Sequence, residues 1–362
     1  MRILHVTPFY EPFWAYGGMA RCSAALCRAL ARRGHEVTVA TALLEPAPPL
    51  DETVGGVRVR RFAGPAFLKR WLVPWAWGFH DFLRRELPSI DVVHLHGHRN
   101  GLAVTASRAL VAAGRSWVLL TNGTFPHHGQ YPVIKALFDR VVGDRIVGRA
   151  SEIVAVSQCE ARDLPRPARV IPNGVEVCGV APPAPPRDRP RILFVGTGRP
   201  QKRGHLLPRL LAALPEAELH LVGRFDARFL RLFAPLAKRA RVSGVLAGDA
   251  LAAAYANADV VVHPAVGEAF GLVPFEAAFA GTAAVVAGGH GCGEWFGRAG
   301  GCVVPPNDVG ALTEAVRVRL DDPGIAKREA QAVAEFAREQ LTWDQAARAI
   351  ESVYRDARED RP

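Results

Sequence analysis

Short apolar runs recur along the chain, and each hands over to small or polar residues. Arg2-Ile3-Leu4-His5-Val6 ends at Thr7-Pro8, and after a loop rich in aromatics and Gly comes an amphipathic run, Met19–Arg33, closed by Gly34. His35–Ala40 is the next apolar run. A strand-length stretch, a stretch with helical periodicity and a second strand-length stretch predict a strand–helix–strand unit, the piece from which parallel sheets are made. Asp91–Gly97 (DVVHLHG), Trp117–Thr121, Ile153–Val156 and Val170-Ile171 continue the series. They run into Gly97, Asn122-Gly123, Ser157 and Pro172-Asn173-Gly174. Ligands of open parallel sheets gather at such strand ends, which makes His96 a site candidate, while His94 can point into the sheet packing.

The pattern then breaks and restarts. Val180–Pro190 (VAPPAPPRDRP) favours extended, semi-rigid backbone with few donors for a sheet. Beyond it, Arg191–Val195 echoes Arg2–Val6, Glu218–Val222 echoes His35–Ala40, and Asp259–Pro264 echoes Asp91–His94. Ala283–Ala287 adds a strand, and the tail from Ala311 is helical by pattern with a break at Pro323-Gly324. Two similar α/β sheets in tandem are the economical architecture. The boundaries expected are a first domain over 1–179, a linker over 180–190, a second domain over 191–335, and a C-terminal helix over 336–362 packing back on the first domain.

A length of 362 residues, 49% hydrophobic and 22% charged, fits two globular cores. The formal net charge of +10 comes mostly from Arg and is dispersed, which argues against nucleic acid and leaves a solvated surface, anionic lipid or phosphorylated substrates. The six cysteines show no zinc spacing and sit mostly among apolar residues, as small core side chains in a reducing compartment do. No signal peptide and no membrane-spanning apolar stretch is evident, so the expected location is cytoplasmic. Phe67–Phe82 sets Trp71, Trp75 and Trp77 beside Lys69 and Arg70. Its Leu68, Leu72, Trp75 and Phe79 recur at helical spacing, which puts a core face or acceptor-pocket wall ahead of contact with a membrane interface.

The densest chemistry lies in His263–Gly281, HPAVGEAFGLVPFEAAFAG. An apolar run delivers the backbone to a loop with Glu268, then a Phe270-Gly271 turn, then a helical pattern carrying Glu276. Gly271 lets a ligand approach the backbone, Pro274 suits a first helical turn, and Gly281 suits a helix end. Free N–H groups at that helix start favour an anion, with two carboxylates flanking it. Upstream, Val195-Gly196-Thr197-Gly198 ends a strand in small residues, and Lys202 follows as a point charge well placed for phosphate. Gly223 ends the next strand where a nucleotide needs room. Gly17-Gly18, just before the first helix, can turn backbone amides toward a phosphate or acceptor oxygen. Each feature alone reads as ordinary structure; those of the second half, together at its strand ends, read as a site.

These residues resemble the retaining GT-B glycosyltransferases of family 4, in order and over nearly the full length. The resemblance rests on Gly17-Gly18, DVVHLHG at Asp91–Gly97, IPNG at Ile171–Gly174, VGT…K at Val195–Lys202, and the E-x7-E element within Glu268–Thr282. It implies two Rossmann-like domains with parallel sheets facing across a cleft, and a nucleotide-sugar donor held mainly by the C-terminal one. Glu276 would take the ribose hydroxyls and Glu268 would sit by the transferred sugar. Phe270, Gly271 and Leu272 would offer backbone amides, Lys202 would pair with the diphosphate, and His96 would belong to the N-terminal side of the sugar site. Thr197 stands where the family often has Arg; either Arg199 supplies that charge or the phosphate clamp is weaker. Ala269 replaces a usual glycine.

No metal and no cofactor beyond the nucleotide-sugar is implied, and no Asp-x-Asp cluster sits at a strand end. A nucleoside diphosphate leaves without a strong acid, so the two glutamates need not act as a glycosidase pair. The acceptor expected is a glycan or a lipid-linked molecule, and the basic, Trp-bearing stretch is compatible with peripheral association with the inner face of the cell membrane. Rival readings are a nucleotide-sugar epimerase, which needs no acceptor, and a binding protein without turnover. A dinucleotide oxidoreductase fits poorly, because neither first helix opens on G-x-G-x-x-G.

Overall fold

The computed structural model describes residues 1–14, 17–45, 48–65, 76–125, 131–176 and 188–359. The stretch Leu68–Trp75 and most of the expected 180–190 linker lie outside these residues. The chain divides into two compact units, Met1–Gly174 with Trp343–Pro362, and Val175–Thr342. Each unit holds one sheet.

The first sheet comprises β1 (Arg2–Thr7), β2 (Glu36–Ala42), β3 (Asp51–Val54), β4 (Val57–Phe62), β5 (Val92–His96), β6 (Val118–Leu120), β7 (Glu152–Ala155) and β8 (Arg169–Val170). Their order is β3-β4-β2-β1-β5-β6-β7-β8, parallel throughout except for the β3–β4 hairpin at one edge. That hairpin turns on Gly55 and Gly56, both with positive φ, as a tight two-residue turn requires. The strand order reverses between β1 and β5, where His5 lies in register with His94.

The alternation along β1 and β5 separates two faces. Leu4, Val6, Val93 and Leu95 join Leu102, Leu110, Phe79, Phe82 and Leu83 in one hydrophobic core. His5, His94 and His96 lie on the other face and are fully buried. The helix Trp343–Glu359 belongs to this unit and brings Tyr354 to them. Gly174 admits the returning chain, since a Cβ there would lie 2.5 Å from the backbone nitrogen of Trp343. Glu351 of the same helix accepts from Arg33 at 2.6 and 2.9 Å, which ties it to the helix Gly18–Arg32.

The second sheet comprises β9 (Arg191–Thr197), β10 (Glu218–Arg224), β11 (Ala240–Val242), β12 (Val260–His263), β13 (Ala283–Ala287) and β14 (Cys302–Val304). It is wholly parallel in the order β11-β10-β9-β12-β13-β14, and the order reverses between β9 and β12. Ile192, Phe194, Leu219, Leu221, Val260 and Val262 form its core with Leu207, Leu210 and Leu312. The Pro323 break in the tail is a junction between helices: Val309–Asp321 ends, and Asp322 caps the next through its carboxylate on the Gly324 and Ile325 amides. That next helix, Pro323–Gln340, contains residue 336, and the division between the units falls at Thr342/Trp343.

Candidate functional site

The C-terminal ends of β9 and β12 meet at the reversal point of the second sheet, and the sequence-derived residues of this unit gather there. β9 runs out through Gly196 and Thr197 into a single 3-10 turn, Pro200–Lys202. The carbonyl of Gln201 accepts from the Val266 amide at 2.8 Å, which fastens this turn to the loop after β12. Lys202 Nζ then reaches Glu268 Oε1 at 2.6 Å, and each side chain is about one-fifth exposed (22% and 20%). Burial alone would push the Glu268 carboxyl up, yet the Lys202 ammonium outweighs it and holds the group at about 2. Glu268 is therefore a carboxylate at neutral pH and has no proton to offer as an acid.

After Glu268 the chain passes Phe270, a core side chain stacked on Phe275 at 5.6 Å. Gly271 has φ +77°, and a Cβ there would come within 2.5 Å of Cys292 Sγ, so both backbone conformation and space demand glycine. Leu272 precedes the helix Val273–Phe279, with Pro274 in its first turn and Gly281, at φ +81°, just past its end. Glu276 is buried within this helix, and Tyr255 donates its hydroxyl to Oε2 at 2.7 Å.

Two buried histidines complete the surroundings. His290 donates from Nε2 to the Ala265 carbonyl at 2.8 Å. His263, the last residue of β12, has neither ring nitrogen hydrogen-bonded, and Nε2 lies 3.7 Å from where a Gly271 Cβ would be. Burial, then the nearby Lys202, lowers its pKa to about 3, so it is neutral. Thr197 Oγ1 is likewise buried and without a partner. Unmatched polar atoms in such a place are costly unless something supplies their partners.

Gly223 is demanded by packing, whether or not a nucleotide needs room beside it. Its φ is +138°, and a Cβ would stand 1.7 Å from the Gly196 carbonyl oxygen of the neighbouring strand, so packing of β9 on β10 accounts for this glycine. Arg199 is exposed at the start of the Pro200–Lys202 turn.

The remaining sequence candidates belong to the first unit. Gly17 and Gly18 are exposed where the helix Gly18–Arg32 begins, with open space around both Cα atoms. His96 is fully buried and engaged at both nitrogens. Asn122 Nδ2 stands 3.4 Å from His96 Nδ1, and His96 Nε2 stands 2.9 Å from His5 Nδ1. Tyr354 Oη lies 3.3 Å from His5 Nε2 and 2.6 Å from His94 Nδ1. With the Asn122 amide as donor the direction propagates: His96 donates to His5, His5 to the Tyr354 oxygen, and Tyr354 to His94. Only His94 Nε2 is left without a partner. Burial lowers the pKa of all three imidazoles, that of His96 to about 3. Among the described residues these three form the one group whose ligand atoms come close enough, within 4.8 Å, to consider a metal; their nitrogens are largely spent on one another, Tyr354 and Asn122.

Tyr255, His263, His290, His5 and Tyr354 were not singled out from sequence as site residues. Tyr255 is a lone aromatic in an Ala-rich helical run, and His5 alternates with core residues along its strand; both are weak signals.

Sequence models of two glycosyltransferase families match the chain: Glycosyltransferase Family 4 over residues 16–178 and Glycosyl transferases group 1 over residues 189–322. A D-inositol 3-phosphate glycosyltransferase of Xylanimonas cellulosilytica is 32% identical, over 100% of this chain and 97% of its own length. One from Kineococcus radiotolerans is 30% identical, over 99% and 95%. The chain belongs to the family 4 glycosyltransferases. Its fold is GT-B: a sucrose-phosphate synthase from Thermosynechococcus elongatus superposes with a TM-score of 0.81 at 21% identity, over 98% of each chain. The Anabaena protein HepE, solved with UDP-glucose, superposes with a TM-score of 0.73 at 18% identity, over 98% of this chain and 99% of that one. This family 4 member is thus a transferase.

Proposed function

We propose that the chain is a retaining, metal-independent glycosyltransferase. It moves a sugar from a nucleoside-diphosphate donor, bound by the second unit, to a glycan or lipid-linked acceptor. The observation that carries this reading is the Lys202–Glu268 pair at the β9/β12 reversal point, beside the Gly271 turn and the helix bearing Glu276.

Breaking the bond from sugar C1 to the diphosphate oxygen builds negative charge on the leaving group and positive charge on the sugar. Lys202 is a cation whose ion-pair partner among the described residues is Glu268, and a diphosphate would compete for it. A fixed cation aimed at developing charge is the largest lever available to such a site. The Glu268 carboxylate then faces the sugar as a hydrogen-bond acceptor and a negative charge beside the cationic centre. Glu276, oriented by Tyr255, accepts from the ribose hydroxyls. The acceptor oxygen bonds to C1 on the face the diphosphate leaves, and its proton passes to a diphosphate oxygen. His96, buried and neutral, positions Asn122 and the β5 end rather than shuttling a proton.

Incubation with UDP-, GDP- and ADP-sugars in the presence of EDTA tests this, with products followed by NMR at the anomeric centre. Acceptors include D-inositol 3-phosphate and phosphatidylinositol, because relatives carry the names D-inositol 3-phosphate glycosyltransferase and phosphatidyl-myo-inositol mannosyltransferase. Transfer with the donor's configuration, undiminished by EDTA, is expected. Inversion, dependence on added metal, or conversion of donor without acceptor contradicts the reading.

A further inference from the structure

In the first unit, residues 132–148 form one continuous helical stretch: Pro132–Phe138, a π-helical turn Asp139–Gly143, and Asp144–Gly148. Its inner side is firmly anchored. Ile146 and Val147 are in the hydrophobic core, and buried Asp139 accepts from Arg99 Nε at 2.9 Å and pairs with His98 Nε2 at 3.1 Å. A Cβ at Gly143 would meet Asp139 Oδ1 at 2.5 Å, so the turn is closely packed where it faces inward.

The outer side carries the opposite of what a solvated helix carries. Tyr131, Val133, Ile134, Leu137 and Val141 are between 56% and 79% exposed. They are five of the fourteen exposed large hydrophobic side chains among the described residues, which concentrates them in one patch rather than scattering them singly. Val133, Leu137 and Val141 recur every fourth position with Ile134 beside them, which makes one stripe. Arg140, Arg145 and Arg149 are exposed along the same stretch, none with a carboxylate partner among the described residues, against one exposed acid, Asp144.

We propose that this outer face is a docking surface for an anionic lipid bilayer. An apolar stripe accompanied by long cationic side chains matches both layers of a membrane interface. The aliphatic groups enter the acyl boundary, and the guanidinium groups stay at the headgroup phosphates. Charge decides between this occupant and a second copy of the chain. A contact between two copies through the stripe would bring together two surfaces that both carry exposed arginines, on chains of formal net charge +10. An anionic surface attracts the same groups. The inference deepens the lipid-linked acceptor reading, and its test uses neither donor nor acceptor, so it can fail while sugar transfer stands.

The test is sedimentation of the full chain with phosphatidylcholine vesicles, with and without phosphatidylglycerol. The protein is expected to bind the anionic vesicles and to be released as salt is raised, because the cationic contribution is screened. A combined Ile134→Ser and Leu137→Ser variant loses more than about tenfold in partition. Arg140→Gln with Arg145→Gln loses about thirtyfold. All these side chains are exposed, so circular dichroism should show an unchanged fold. Equal binding to neutral and anionic vesicles, or variants that bind as the wild type does, overturns the proposal. A wild-type dimer that the serine variant dissolves also overturns it and assigns the face to a second copy.

Discussion

A single ion pair sets the chemistry of the strand-end cluster. Glu268 is held at about 2 against an ordinary 4.5, so its folded carboxylate is more acidic than its unfolded one. Its contribution to stability is therefore complete above about pH 4.5 and is lost as the pH falls through about 2. Lys202→Ala should remove at most about 3 kcal/mol at pH 7 and flatten this part of the acid limb. Denaturant titrations of the two proteins from pH 2 to 7 check it; parallel curves would contradict the coupling. The two partners were both legible in sequence, because a Lys after a glycine-ended strand and a Glu before a turn glycine are local patterns. Tyr255 and His263 were not, since their roles depend on which helix and which loop lie against them in space.

Elements were readable where burial imposes a simple period. The strand Ala283–Ala287 matches its apolar run residue for residue, and Pro274 and Gly281 bracket their helix. The β3–β4 edge hairpin, β11 and β14 were not anticipated. The burial patterns of β3 and β11 show mostly exposed or half-buried positions, so no apolar run announces them. Gly223 was legible as a special position, and its glycine is needed for β10 to pack against strand β9. Gly223→Ala would force the β9 and β10 backbones apart and should cost about 3 kcal/mol or more. Thermal unfolding checks this, and a Tm within a degree of wild type would refute the packing explanation. The exposed stripe on residues 131–141 illustrates a further limit, because apolar periodicity alone does not say which side of a helix the core takes.

At the scale of the whole molecule, two tandem α/β units were legible from the echo of strand patterns across the Pro-rich stretch. A C-terminal helix over 336–362 was expected on the first domain; the helix grouped with the first unit is Trp343–Glu359, and it is held there by contacts separated by hundreds of positions, such as Tyr354 with His94 and His5. Local periodicity carries no record of them. Tyr354→Phe interrupts the line from Asn122 to His94 and leaves buried imidazole nitrogens short of a partner. A loss of about 1–3 kcal/mol is expected, with hydrogen-exchange protection falling in the Trp343–Glu359 helix. Unchanged protection there would mean that the helix is held by its apolar face and its ion pairs, those of Glu351, Asp344 and Asp356 among them.

In the proposed reaction the β9/β12 strand ends bind the diphosphate of a nucleotide-sugar. Isothermal titration of UDP, GDP and ADP into the full chain and into Lys202→Ala, without added metal, tests it most directly. Saturable binding of at least one nucleotide to the wild type is predicted, weakened about a hundredfold or more in the variant. Equal affinity in both proteins, or no binding of any of the three, would contradict it.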